Sequence, residues 1–214
     1  MSRTYGDRCG VARALDVMGE RWALLVVREL LLGPKRFTDL RQGLPHVGPD
    51  VLSQRLRELA AAGVLRRDRL PPPAASQVYE LTERGRELEP VILALGRWGS
   101  AEPAAADGAF GPDSAMLALK TMFDPGAAGS LDATYELRLG NQRFRARVRD
   151  GRLDILRGTA EDADATIETD PGTLAEVVWR GADLDASAVT ITGDRRAVTR
   201  FLRLFSLEES RAQR

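Results

Sequence analysis

Apolar positions between residues 11 and 98 recur at three-to-four spacing, the period of helices with one packed face. Val11, Ala14, Leu15 and Met18 make a first stripe, stopped by Gly19. Trp22, Leu25, Val26 and Leu30 make a second, ended by Gly33 and Pro34. A short helix is expected around Phe37 to Arg41, closed by Gly43 and Pro45. The stretch GPDVLSQRLRELAAAGVLRR, residues 48–67, then predicts a fourth helix. Gly48 caps it, Pro49 suits the first helical position and Gly63 ends it. At about 100° per residue, Val51, Leu52, Leu56, Leu59 and Ala60 fall on one side. Asp50, Ser53, Gln54, Arg57, Glu58 and Ala61 fall on the other. VLRRDRL, a proline-rich tip PPPAAS and QVYELT read as a hairpin whose first strand carries Arg66, Arg67 and Arg69. Thr82 caps a further helix with apolar positions at Leu88, Val91, Ile92, Leu95 and Trp98.

The period changes after a break. Residues 99–114, GSAEPAAADGAFGPDS, lack either periodicity and predict a linker. A helix bearing Met116, Leu119, Met122 and Phe123 follows. From 131 onward apolar and polar residues alternate: Tyr135, Leu137 and Leu139, then Phe144, Ala146 and Val148, then Leu153 and Ile155. Gly140-Asn141 and Asp150-Gly151 supply the turns. Further strands are expected at ADATIET and AVTIT. Asp170-Pro171 opens a helix that reaches Trp179 and is closed by Gly181. Asp194 caps a last helix with Val198, Phe201, Leu202 and Phe205 on one face. The predicted fold is α+β. Residues 1–99 are expected to form a first, helix-rich domain ending beyond the hairpin, 100–113 a linker, 114–207 an antiparallel-sheet α+β domain and 208–214 a tail.

Charge sharpens the contrast between the halves. The whole chain carries 31 Lys+Arg and 31 Asp+Glu, so net charge identifies no partner. Residues 1–100 hold 16 basic and 12 acidic side chains, a net of +4, and residues 101–214 hold 15 and 19, a net of −4. Between 35 and 69 there are eight basic and four acidic residues, again a net of +4. Helix, short helix, helix and basic hairpin is the layout of a winged helix-turn-helix, whose second helix meets major-groove base edges while wing cations meet phosphates. A solvated helix beside a charged hairpin is the plain alternative, but the order of elements, the short turn and the basic wing coincide. Double-stranded DNA is therefore the expected partner. Ser53, Gln54 and Arg57 are assigned to base edges or adjacent phosphates. Arg57 suits guanine and Gln54 adenine. Arg55, on the flank of the buried stripe, suits a phosphate or a structural ion pair. Arg66, Arg67, Arg69, Lys35 and Arg36 are phosphate candidates.

The first half also closely resembles the HxlR family of bacterial transcriptional regulators over roughly 9–99. The resemblance is carried by GVARALDVMGERWALLVVRELLLGPKRFTDL, HVGPDVLSQRLRELAAAGVLRR, VYELTERG and ALGRWG. HVG stands where members more often have Gly-Ile-Ser, so Gly48 takes the cap position usually given to serine; glycine caps nearly as well. The resemblance implies a homodimer, joined through the N-terminal segment and the helix after the wing. Two recognition helices would then read an inverted repeat about 34 Å apart. Cys9 aligns with the family's N-terminal cysteine, which some members use to sense oxidants or electrophiles. A helix N-terminus beside Arg8 favours thiolate. The favoured reading is a small residue under the dimer interface; the other is a redox switch.

On β-patterned residues 131–157, Arg143, Arg145, Arg147 and Arg149 alternate outward. In the simplest register Glu136 faces Arg145 and Asp154 faces Arg147, which predicts a partly paired, solvated sheet face. The second half resembles the sterol-carrier-protein type-two-like fold through YELRLGNQRFRARVRDG, ADATIETDPGTLAEVV and AVTITGDRRAVTRFLRLF. That resemblance implies a tunnel for an apolar small molecule or lipid. Met122, Phe123, Trp179, Phe201 and Phe205 either line such a cavity or are plain core. A lipid-binding module using the first half as a dimerisation platform is the other class of function. No enzyme, metal site or cofactor is expected. Cys9 is the one cysteine and His46 the one histidine, and no phosphate loop, nucleophile elbow or dinucleotide fingerprint is present. With no signal-like start and no long apolar run, the chain is expected in the cytoplasm, without membrane insertion.

Overall fold

Helix α1 (Gly10–Met18) comes first in the computed structural model, which describes residues 4–70, 76–100 and 110–205. Gly19 caps it, donating its N–H to the Leu15 carbonyl at 2.7 Å. Only Met18 of the first apolar stripe is buried; Val11 and Leu15 face outward. Helix α2 (Ala23–Leu30) starts after Trp22, whose φ of +77° is a left-handed conformation rare for a bulky residue. Trp22 thus precedes the helix instead of sharing its stripe. Ala23, Val26, Val27 and Leu30 make the buried face, while Leu25, expected inside, is exposed.

The short helix α3 (Phe37–Gly43) and helix α4 (Pro49–Ala61) complete the head. Gly48 and Pro49 start α4 as the sequence predicts, and Gly63, with φ +69°, stands beyond its end. Leu52, Leu56 and Leu59 pack against Val26, Val27, Leu30, Leu40 and Leu44 in one core. Strands β1 (Leu65–Arg69) and β2 (Gln77–Leu81) pair antiparallel, with Arg66 opposite Glu80 and Arg67 opposite Tyr79. Residues 71–75 of the proline-rich tip lie outside the described residues. After the wing, one expected helix is two: α5 (Glu83–Arg86), capped by Thr82, and α6 (Glu89–Gly99). Pro90 explains the break, since it has no N–H to continue the ladder.

The chain divides into two compact units, Met1–Ile92 and Leu93–Arg214, with the division inside α6. Residues 101–109 of the expected linker lie outside the described residues, as do residues 206–207 of the expected second domain and the tail 208–214. In the second unit α7 (Pro112–Met122) ends before Phe123, and α8 (Pro125–Ala128) is one turn. Five strands follow in the order β5-β4-β3-β6-β7: β3 (Ala133–Leu139), β4 (Gln142–Arg149), β5 (Arg152–Arg157), β6 (Ala165–Thr169) and β7 (Thr190–Gly193). The expected all-antiparallel sheet is corrected here. β6 crosses from the β5 edge to pair with β3, and runs parallel to it. Hairpin register matches expectation, with Glu136 opposite Arg145 and Arg147 opposite Asp154.

Helix α9 (Pro171–Trp179) lies between β6 and β7, and α10 (Arg195–Leu202) follows β7. Asp170 caps α9 by accepting from the Gly172 and Thr173 N–H groups. Its bonds from Thr173, hydroxyl and N–H, hold its carboxyl below the usual range despite partial burial. Tyr135, Leu137, Phe144, Ala146, Val148, Ile155 and Ile167 form the sheet's buried face, and α10 presses Val198 and Phe201 into the same core. Tyr135 donates its hydroxyl to the Ala197 carbonyl at 3.2 Å. Burial, with Asp164 adding to it, pushes that hydroxyl up to about 12, so it remains a donor. The last helix stops earlier than expected, and a 3-10 turn, Arg203–Phe205, carries Phe205 into the core.

Candidate nucleic-acid interface

Helix α4 owes its exposed face to its buried one. Leu52, Leu56 and Leu59 anchor it, so Asp50, Gln54, Arg57, Glu58 and Ala61 turn to solvent. Ser53 sits at the margin, half-buried. Val51, expected in the core, is 44% exposed beside this face, and Ala60 is exposed as well. Their positions sit at the borders of the apolar stripe, where a single helix period cannot assign a side.

The polar side chains form a connected set. Arg57 Nη2 donates to Gln54 Oε1 at 2.6 Å, and Gln54 Nε2 donates to Glu58 Oε1 at 2.6 Å. Glu58 also accepts from Arg55 Nη1. Arg55 lies 3.7 Å from Glu20, with its side chain largely covered. That is the placement of a structural ion pair, one of the two expected roles for Arg55.

The wing supports a second set of cations. Arg66 is bridged to Glu80 across the strands and lies 4.0 Å from Asp68. Arg67 rides over the Tyr79 ring, 5.6 Å from its centroid. Arg66, Arg67 and Arg69 are all exposed.

Lys35 departs from expectation. It is 5% exposed, and its ammonium bonds Glu29, itself buried in α2, at 2.5 Å. Arg28 holds the other carboxylate oxygen at 2.8 Å. The Lys35 backbone exchanges hydrogen bonds with Tyr79, at 3.0 and 2.8 Å, adding a bridge to the wing. Lys35 is thus placed to join α2 to the wing, with its ammonium buried against Glu29. Gly43 belongs to the same joint, because a Cβ there would overlap the Glu29 carboxylate. A Lys before an Arg in a turn looks solvated in sequence; only the packed Glu29 shows otherwise. Arg36 remains exposed, and its N–H donates to Asp39 at 3.1 Å to start α3.

Cys9 stands at the start of α1 and is exposed. Its N–H donates to Asp7 Oδ1 at 2.9 Å. A groove of about 670 Å³ runs between α1 and the start of α5, lined by Arg13, Ala14, Met18, Val64, Arg84 and Leu88 among others. In the second unit Phe201 and Phe205 are fully buried, with centroids 4.9 Å apart, and Tyr135 lies 4.3 Å from Phe201. Phe123, partly exposed, meets Phe205 at 6.2 Å. Met122 and Trp179 are also partly exposed, and Trp179 packs edge-on against Phe110 at 6.3 Å. Among the described residues, no group of three or more His, Cys, Asp or Glu could hold a metal ion, and no helix is long and apolar enough to cross a membrane.

Comparison with known proteins bears on the first unit and the start of the second. The family model described as an HxlR-like helix-turn-helix matches residues 17–106. The uncharacterized HTH-type transcriptional regulator YvaP of Bacillus subtilis is 36% identical over 88 residues, 41% of this chain and 82% of that protein. The uncharacterized HTH-type transcriptional regulator sll1512 of Synechocystis is 37% identical over 95 residues, 44% of this chain and 70% of its own length. A solved structure of the redox regulator HypR, in its oxidized form, is 35% identical over 45% of this chain and 100% of that chain, with a TM-score of 0.41. Residues beyond 106 lie outside the family match.

Proposed function

Because the chain belongs to the family of HxlR-like helix-turn-helix transcriptional regulators, we propose that it works as a cytoplasmic homodimer on an inverted repeat in double-stranded DNA. One observation carries the DNA-contacting part. The α4 surface opposite Leu52, Leu56 and Leu59 presents Gln54 and Arg57 to solvent, on the second helix of the pair. That is where a helix-turn-helix meets major-groove base edges. Arg67, Arg69 and Arg36 are assigned to phosphates, with Arg66 joining them by exchanging Glu80 for the backbone. Support for the dimer comes from apolar side chains left uncovered in the first unit: Tyr5, Val11, Leu15 and Val91. The test is duplex binding by the full chain across a salt series, with sedimentation of the same sample. A dimer whose affinity falls steeply with salt is expected, since released counterions drive phosphate contacts. Salt-independent or absent binding overturns the reading and favours a lipid-binding module on a dimerisation platform.

The second unit is assigned a sensory role, in line with the resemblance of its sequence to the sterol-carrier fold. Phe201 and Phe205 serve as core, so Met122, Phe123 and Trp179 are the remaining side chains of that set assigned to an apolar ligand. The ligand must then couple reciprocally to operator affinity. Native mass spectrometry followed by denaturation tests for a bound apolar molecule; a ligand that leaves operator affinity unchanged ends this version.

A second reading rests on the exposure of Cys9 at the start of α1. Oxidant-induced release from DNA that disappears in Cys9→Ser supports it; unchanged release removes it.

A further inference from the structure

We propose that Arg57 is the guanine-reading side chain of α4 and that Gln54 is its positioning residue, not a reader of adenine. This rests on the DNA-binding reading above. Glutamine reads adenine with both ends of its amide at once, accepting from N6 and donating to N7. Here both ends are engaged within the helix: the oxygen by Arg57 and the nitrogen by Glu58, each at 2.6 Å. The two partners lie three and four residues ahead, on the next turn of the same face. With both ends bonded along the helix surface, the amide must give up one or both of these bonds before it can meet a base edge.

The same bonds set Arg57 apart from Arg55. Arg55 spends its charge on Glu58 and is largely covered. Arg57 is exposed, and the bond holding it goes to a neutral amide, so its charge is not cancelled by that contact. A guanidinium has five N–H donors, and one bond to Gln54 leaves the pair needed for guanine O6 and N7. An arginine tethered before DNA arrives has less rotamer freedom to lose on binding. Glu58 holds Gln54, and Arg55 holds Glu58, so the order of positioning runs from the core outward.

The experiment measures binding of the full-length protein to duplexes randomised across the half-site, comparing wild type with Arg57→Ala, Gln54→Ala and Gln54→Glu. Wild type is expected to prefer guanine at one position per half-site by roughly 10-fold or more. Arg57→Ala levels that position. Gln54→Ala weakens the preference at the same position and exposes no second one. Gln54→Glu keeps an oxygen for Arg57 but loses the donor to Glu58 and sets a carboxylate against the Arg57 charge, so affinity for all duplexes falls while the position that prefers guanine stays the same. Melting temperatures of all three should match wild type, because both side chains are exposed. The proposal is overturned if Gln54→Ala instead levels a different position at which wild type prefers adenine, or if it changes no preference at all. Failure of the wild type to bind any duplex in a salt-dependent way sinks the DNA-binding reading itself, a distinct result.

Discussion

Two surfaces of this protein are rich in arginine, and they spend it differently. On the outer face of the second unit's sheet, Glu136 draws in Arg138 at 2.6 Å and Arg143 at 3.5 Å. Asp132 takes Arg147 at 3.4 Å and Arg149 at 3.7 Å. Of β4's four outward arginines only Arg145 lacks an ion pair among the described residues. On α4, by contrast, Glu58 is shared by Arg55 and Gln54, so Arg57 is tied only to an amide. A count of arginines ranks the sheet above the helix. Counting which charges already have partners removes that lead, leaving one arginine without an ion pair on β4, Arg145, and one on α4, Arg57, among the described residues, and that is the quantity a phosphate or a base responds to.

The comparison can be broken most forcefully at the basic residue that is fully spent. Lys35→Ala leaves Glu29 buried with only Arg28 beside it. Breaking a buried pair costs about 3 kcal/mol or more, and denaturant unfolding of the first unit should show it. The slope of binding against salt should not change through loss of a phosphate contact; a slope shallower by one ion would return Lys35 to the interface.

Next comes the carboxylate at the centre of the sheet face. Glu136→Ala removes the acceptor of the Ala160 N–H, at 3.0 Å, and the shared counterion of two arginines. A loss of about 1–3 kcal/mol is expected in thermal unfolding. Burial pushes the Glu136 carboxyl up, but the Ala160 N–H, Arg138 and Arg143 together hold it below its usual range. A depressed folded value means the stabilisation is present above the unfolded carboxylate range and is lost as pH falls through the folded value. Melting of the second unit should therefore lose this contribution in acid, and Glu136→Gln should flatten that part of the profile. An unaltered acid limb in Glu136→Gln would show that the buried carboxylate contributes nothing there.

Smaller differences test the surfaces against each other. Arg67→Ala should lower the salt slope of duplex binding by about 1 and weaken all sequences alike. Arg147→Ala, already paired with Asp132, should leave binding within twofold. Equal losses from the two substitutions would mean that the sheet face also touches DNA. The faintest effect belongs to Val51→Ala. If the exposed side chain packs on a thymine methyl, a preference for thymine at one position shrinks by a few-fold; if not, the base preferences of the two proteins coincide.

Much of this was legible in the residues. Gly48-Pro49 and Gly63 mark the ends of α4 because cap and turn geometry depend on neighbours a few positions away. The pairing of Glu136 with Arg145 and of Arg147 with Asp154 followed from the two-residue Gly140-Asn141 and Asp150-Gly151 turns and strict alternation. Ion pairing did not follow from register: Glu136 turned to Arg138 and Arg143, because side chains this long choose among several neighbours. The aromatic set was only half legible, since Phe201 and Phe205 share a pattern with cavity walls and are core.

Helix and strand identity, their caps, the hairpin turns and the winged order of the first unit all answer to short-range chemistry, and short-range chemistry is written in adjacent letters. The burial of Lys35 against Glu29 joins α2 to the wing, and the parallel pairing of β6 with β3 joins segments about 30 residues apart. Whether an amide on α4 is free depends on rotamers that sequence spacing permits but does not choose. These outcomes came from packing at a distance, where desolvation makes one partner far better than the others, and no local pattern records which partner that is.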